Sequence, residues 1–234
     1  NLLGKSLSVL WEADSTVIFS MGSMVVKDPS SSPKGPHGEM VCFGYRKVTA
    51  QKKSRYVLQH FNSIAGKYDF MNTILSCGLH FLWKKWAMKV LRVQPGDRVI
   101  DVCGGTADLS ILAAKATGPE GKVILYDISR AMMEAGKPKV AQASLAGRIR
   151  YVQGDAELNS FLRNQFDAAM VGFGIRNLTH MERGLAEMYR VLKPGGKLMC
   201  LEFSLPTSFW FRALYDFYSF RLMPLAGKLL TGSR

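Results

Sequence analysis

The chain has four cysteines in 234 residues, Cys42, Cys77, Cys103 and Cys200, and no Cys-x-x-Cys or His-Cys spacing among them. Neither a zinc site nor a disulfide framework is indicated, and a reducing cytoplasm is the simplest setting. No apolar run reaches the roughly 18 uninterrupted residues that a membrane-spanning helix needs, because Lys, Arg, Asp or Gly breaks every candidate. A secretory signal, with its charged start, apolar centre and small-residue cleavage site, is also missing. Acids are few: 18 Asp and Glu stand against 31 Lys and Arg, a net charge of +13. That imbalance favours an anionic partner, nucleic acid or a lipid surface, without choosing between them. It is concentrated between Arg46 and Arg98, where Lys47, Lys52, Lys53, Arg55, Lys67, Lys84, Lys85, Lys89 and Arg92 face few acids. A solvated helix face and a membrane-surface role both account for this stretch.

Periodicity divides what remains. Residues 1–39 carry no sustained pattern, and the Pro29 to Pro36 run reads as a flexible link. Residues 1–49 are therefore expected to be a poorly ordered leader, with Met40 a candidate start of the folded unit. Residues 50–95 read as a helical cap: apolar Val57, Leu58 and Phe61, then the turn-rich Cys77-Gly78, then a second helical run Trp83 to Leu91. Beyond Pro95-Gly96 the pattern alternates. Val99 to Cys103, Lys122 to Tyr126, Ile149 to Val152, Phe166 to Val171 and Lys197 to Phe203 read as strands. Ala107 to Ala116, Arg130 to Ala143 and Met181 to Leu192 read as helices. Such alternation implies right-handed βαβ units, a mostly parallel sheet with helices on both faces, and a Rossmann-like α/β fold over 96–234. Thr179-His180-Met181-Glu182 has the form of a capping box for the Met181 helix, whose Leu185, Met188, Tyr189 and Leu192 are expected to face the core.

The chemistry is expected at the carboxyl ends of these strands, where open α/β sheets bind ligands. The first strand runs into Gly104-Gly105-Thr106-Ala107-Asp108, small residues that let a ligand approach the backbone. The second ends in Asp127, placed to accept from both hydroxyls of a ribose, and the third in Asp155-Ala156, where an adenine edge would lie. Asp127 and Asp155 have a competing role as helix N-caps. A nicotinamide site would want G-x-G-x-x-G, which this turn does not supply.

After the fourth strand comes Gly172-Phe173-Gly174-Ile175-Arg176-Asn177. Together with Tyr68-Asp69-Phe70-Met71-Asn72, the Asp101 to Asp108 turn and Arg190-Val191-Leu192-Lys193-Pro194-Gly195-Gly196, this segment resembles the quinone-ring C-methyltransferases of ubiquinone and menaquinone biosynthesis. The likeness spans about residues 50–234. It implies a class I, S-adenosylmethionine (SAM) dependent methyltransferase, with cofactor contacts at Gly104, Thr106, Asp127, Asp155, Ala156 and Gly172. Members of that family commonly have Ser where this chain has Gly172, so a contact there is through the backbone. The text Leu158 to Asn164 also departs from the family's. So does the C-terminus: the family's final antiparallel hairpin has no counterpart in the strand pattern after Phe203. The expectation is a truncated sheet of five strands with Lys197 to Phe203 at an exposed edge, a situation that favours homo-oligomer formation.

The acceptor implied by the resemblance is a prenylated quinol, and the residues expected around it are Tyr68, Asn72, His80, Arg176 and Asn177. A phenol with a pKa of about 10 is protonated at neutral pH, so a base or cation beside it should help. Arg176 suits the stabilisation of phenolate charge, and His80 has a pKa suited to a base. A nucleic-acid methylase is the competing enzyme class, but the Asn/Asp-Pro-Pro-aromatic turn and the Pro-Cys nucleophile of such enzymes are lacking, and no nucleic-acid partner is expected. An inactive fragment or a quinone-binding partner is the non-enzymatic alternative. A lipid-tailed substrate and the aromatic, basic run Phe209 to Arg221 point to peripheral contact at the inner face of the membrane, with packing of that run into the core as the equal alternative.

Overall fold

The computed structural model describes residues 8–13, 16–21, 39–43 and 46–203. Four short strands come first: β1 (Ser8–Ala13), β2 (Thr16–Met21), β3 (Met40–Phe43) and β4 (Arg46–Thr49). Three helices follow, α1 (Ala50–Ile64), α2 (Tyr68–Leu75) and α3 (Leu79–Leu91). The alternating part then runs β5 (Arg98–Val102), α4 (Asp108–Thr117), β6 (Lys122–Asp127), α5 (Arg130–Gln142), β7 (Ile149–Gln153), β8 (Phe166–Gly172), α6 (Met181–Val191) and β9 (Leu192–Phe203).

The main sheet has the order β1-β2-β9-β8-β5-β6-β7, and every pair except β1 with β2 is parallel. From β5 the chain winds outward through β6 and β7, then returns to build β8 and β9 on the other side. The reversal opens a crevice at the carboxyl ends of β5 and β8, where doubly wound sheets take their ligands. Both faces of the sheet are covered, so the central strands are apolar throughout rather than alternating. Val99, Leu125, Met170 and Leu201 pack on one face with Met88 and Leu91 of α3 and Ala113 of α4. Ile100, Tyr126, Val171 and Cys200 pack on the other with Met188 and Val191 of α6. Burying each such Val, Leu or Ile contributes about 1.5–3 kcal/mol, and these side chains hold the strand ends in register.

Four expectations are corrected here. The stretch expected to be a poorly ordered leader supplies β1 and β2, which raises the strand number from five to seven, and β3 with β4 as a separate hairpin. Two six-residue segments are too short for a periodicity signal, yet Val9, Trp11, Val17, Ile18 and Phe19 are residue types that favour strands. The carboxyl half of β9 is consequently not an exposed edge, since Val17 to Met21 pair with Met199 to Phe203. The capping box does not form: α6 is capped at His180 without a side-chain bond, and the Thr179 N–H donates instead to Glu157 Oε1 at 2.5 Å. Tyr189 is exposed, and Gly184, Met188 and Val191 make the buried stripe. The expectations about residues 204–234, including the missing hairpin and the Phe209 to Arg221 run, lie outside the described residues.

Candidate active site

A cleft of about 770 Å³, counted with its open mouth, lies over the carboxyl ends of β5, β6, β7 and β8. The turn after β5 is what lets a ligand reach the backbone. Cys103, Gly105 and Ala107 all have positive φ, at 56°, 52° and 72°. For Cys103 and Ala107 that conformation carries strain of about 1–2 kcal/mol, of the kind that collects at functional sites.

Asp127 closes β6. Its Oδ2 accepts the Gly105 N–H at 2.8 Å and its Oδ1 the Ser129 N–H at 2.7 Å. Burial pushes its carboxyl up, and those main-chain donors oppose the rise. Ser129 is itself fixed, capping α5 through Met132 and donating to Asn62 Oδ1 of α1 at 2.6 Å. Asp155 and Ala156 line the same cleft from the end of β7, with Asp155 Oδ1 accepting the Glu157 N–H at 2.9 Å. Asp155 thus serves as an N-cap and a cleft residue at once. Gly172 lines the cleft too; a Cβ there would meet Leu109 Cδ1 at 2.5 Å, so Leu109 fills the space that a side chain would need.

This donor set fits SAM better than a pyrophosphate cofactor. The Gly105 N–H, which a phosphate would need, is taken by Asp127, and the cleft presents Asp127, Asp155 and Glu157 without a lining Lys or Arg. Carboxylates there suit ribose hydroxyls, an amine and a cationic sulfonium, and they repel phosphates. Ile128, Met132, Ala156 and Leu178 add apolar walls for a base. Among the described residues no group of His, Cys, Asp and Glu is placed to hold a metal ion.

The predicted residues divide between the cleft and its supports. Asp127, Asp155, Ala156, Gly172, Tyr68 and Asn177 line the cleft, and at the turn after β5 it is Gly105, not the expected Gly104, that does so. Asn72 is not among the lining residues; burial raises the Tyr68 pKa and the Asn72 side chain opposes the rise. Gly104 and Thr106 are not lining residues either. Thr106 is buried and its hydroxyl donates to Asp69 Oδ1 at 2.6 Å rather than into the cleft. His80 is a correction. It lies on the buried face of α3, its Nδ1 2.7 Å from Ser76 Oγ and its ring against Phe81, away from the cleft lining. Its pKa is lowered by burial and by Lys84. Ser76 is the C-cap of α2, and the tight turn through Cys77 and Gly78 brings its hydroxyl onto the His80 ring. Arg176 is half-exposed at the carboxyl end of β8, its Nε 3.5 Å from Glu202 Oε1 at the end of β9.

A charge relay that was not legible in the sequence ties the cap to this edge. Asp69 of α2 accepts from Thr106 and pairs with Lys139 of α5 at 2.6 Å. Lys139 also reaches Asp108 Oδ1 at 2.6 Å, and Lys84 of α3 reaches Asp108 Oδ2 at 2.7 Å. Burial raises the Asp108 pKa, but Lys84 and Lys139 outweigh it and hold the carboxyl below its usual value. Lys84 is therefore neither solvated nor available to lipid, and Lys53, also buried, donates to the Leu178 carbonyl at 2.5 Å. Asp69 and Asp108 stand inside motifs that were recognised, but nothing local marks Lys139 as their partner. Buried Asp101 completes the edge: Ser110 Oγ donates to its Oδ2 at 2.6 Å, its Oδ1 has no hydrogen-bond partner, and burial pushes its pKa up to about 7.

An acid-lined nucleoside cleft at the switch point of a doubly wound sheet defines a SAM-dependent methyltransferase of the Rossmann-like class. Solved structures agree on the fold. The [4+2]-cyclase SpnF aligns with a TM-score of 0.53 at 19% identity, over 62% of this chain and 58% of that one. A chain from a complex containing the Haloferax volcanii Trm112 methyltransferase activator gives 0.51 at 19% identity, over 60% and 58%. The sequence is more particular, and the chain belongs to the ubiE/COQ5 methyltransferase family, whose profile matches residues 48–234. Among its relatives, the "Ubiquinone/menaquinone biosynthesis C-methyltransferase UbiE" of Pseudomonas entomophila is 45% identical over 85% of this chain and 78% of its own length. The protein of the same name from Ectopseudomonas mendocina is 47% identical over 81% and 74%.

Proposed function

We propose that this chain transfers a methyl group from SAM to a ring carbon of a prenylated quinol precursor in menaquinone or ubiquinone biosynthesis, working in peripheral contact with the membrane that holds the substrate. The observation that carries this reading is the mixed lining of the cleft. Asp127 and Asp155 suit a nucleoside, while Tyr68, Phe173 and Asn177 offer aromatic and amide groups for a phenolic ring.

SAM, when bound, supplies an electrophilic sulfonium methyl. Asp127 would hold the ribose, with Asp155, Ala156 and the Gly172 backbone along the base and methionine. The acceptor's phenolic oxygen would give its proton to solvent water so that electron density reaches the ortho or para carbon; a C–C bond would form as the methyl–sulfur bond breaks, and the ring C–H proton would pass to water as the phenolic O–H is restored, one net proton being released. Arg176, outside the cleft lining and beside Glu202, would turn to the acceptor to stabilise the phenolate, because its charge is effectively permanent. Tyr68 stays protonated, as its raised pKa requires, and serves as a hydrogen-bond donor to a ring oxygen rather than as a base. Asn177 offers the second polar contact, and the cap of α1–α3 excludes water and holds the ring over the methyl.

Incubation with radiolabelled SAM and reduced demethylmenaquinone, its benzoquinol counterpart, or tRNA tests the reading. Label is expected in a quinol; label in tRNA alone, or in none of the three, would overturn it.

A further inference from the structure

Helix α3 sorts its side chains into two faces. His80, Lys84, Ala87, Met88 and Leu91 are buried. The opposite face exposes Leu79 (44%), Phe81 (45%), Leu82 (61%) and Trp86 (40%), and the neighbouring α2 adds Phe70 (58%) and Ile74 (40%). Single exposed apolar residues are ordinary, but six on one helical hairpin form a patch of the kind that marks an interaction surface.

Charge selects the partner. Between residues 67 and 92 the sequence has one acid, Asp69, and Thr106 and Lys139 engage it. Lys84 is turned inward to Asp108. The exposed charges of the hairpin are therefore all cations: Lys85 and Lys89 among the apolar residues of α3, with Lys67 and Arg92 at its two ends. A protein partner would have to desolvate Lys85 and Lys89, and interface centres are poor in Lys. A bilayer has no such difficulty, since aromatic and aliphatic side chains enter the acyl boundary while lysines meet anionic headgroups. Tyr68, which lines the cleft, opens the same helix that exposes Phe70 and Ile74. Docking through this face would bring the cleft beside the lipid.

We propose that the outward face of the α2–α3 hairpin is the docking surface for an anionic phospholipid bilayer, with Phe81 and Leu82 as its apolar anchors and Lys85 and Lys89 as its headgroup contacts. The surface is read from exposure and charge alone; its purpose, delivering a lipid-tailed acceptor, rests on the proposed function.

Flotation of the full chain with phosphatidylcholine vesicles, with and without phosphatidylglycerol, tests it. Binding is expected to need phosphatidylglycerol and to weaken with salt. Replacing Lys85 and Lys89 by Ala should lower partitioning at least about tenfold and flatten the salt dependence, at about 1 kcal/mol per lysine. Changing Phe81 and Leu82 to Ser should lower it at least as far at every salt concentration. Circular dichroism and SAM binding should match the parent chain in both variants. Unchanged flotation of either variant overturns the proposal. So does loss of flotation only when Trp210 and Phe211 are changed to Ser, or a dimer that the Phe81 and Leu82 changes convert to monomer. Methyl transfer to a short-chain quinol in detergent keeps the two readings apart: its absence from the parent chain refutes the proposed reaction, whereas normal transfer with indifferent flotation refutes only the docking surface.

Discussion

At the carboxyl edge of the sheet, Asp127 is held by main-chain N–H groups of Gly105 and Ser129. In the cap, Asp69 is held by two side chains, the Thr106 hydroxyl and the Lys139 ammonium. The first arrangement survives any substitution that keeps the backbone path, because every residue but proline brings an N–H. The second needs particular residues far apart in the chain. The setting of Asp127 at the strand edge is thus a property of the fold, and the anchorage of the cap a property of side-chain identity laid over it.

The largest effect expected lies under the sheet edge, at Asp101. Its folded-state pKa is raised from 3.8 to about 7, so between those values the folded chain holds a proton that the unfolded chain has released. Stability is full below the lower value and is lost as pH rises through the higher one, by at most about 4 kcal/mol. Asp101→Asn should flatten that loss, read as urea unfolding at pH 5 against pH 8. Equal slopes in the two proteins would show that Asp101 titrates normally.

Arg176→Met separates acceptor chemistry from cofactor binding by activity. Methyl transfer should fall by about 10²–10³, the scale of removing one charge-stabilising donor, with SAM affinity retained. Equal losses in turnover and in SAM affinity would erase the distinction. Asp127→Ala is the reverse case: SAM affinity measured by calorimetry should drop by about 1–3 kcal/mol, the scale for lost hydrogen bonds to a charged group. Unchanged affinity would refute the ribose assignment.

The smallest expected effect is Lys84→Met. Breaking a buried ion pair costs about 3–5 kcal/mol, but Asp108 keeps Lys139, so a loss of about 1–2 kcal/mol in thermal or urea unfolding is expected. SAM affinity should hold while methyl transfer declines, since the relay anchors the cap rather than the cofactor. A matching loss of SAM affinity would make cap and edge one unit.

His80, Lys84 and β2 show where legibility stopped. His80 read from sequence as a candidate base and Lys84 as part of a solvated or lipid-facing surface, and both turned inward because α3 buries that face. Nothing in their spacing states which face of a helix will be covered. The strands β5 to β8 were legible because their apolar runs lie between helices and end in glycine or aspartate, local signals tied to backbone conformation. β2 was not, since its pairing with β9 joins residues more than 180 positions apart.

By itself, then, the sequence determined the alternating α/β framework, the strand ends where a ligand was to be sought, and the family, because each depends on periodicity or on motifs contiguous in the chain. Only the tertiary structure decided that Thr106 faces Asp69, that Asp108 joins Lys84 to Lys139, that His80 leaves the site, and that one face of α3 stays apolar and exposed. Those outcomes rest on contacts between distant elements, where burial and charge pairing, not local propensity, choose the partner.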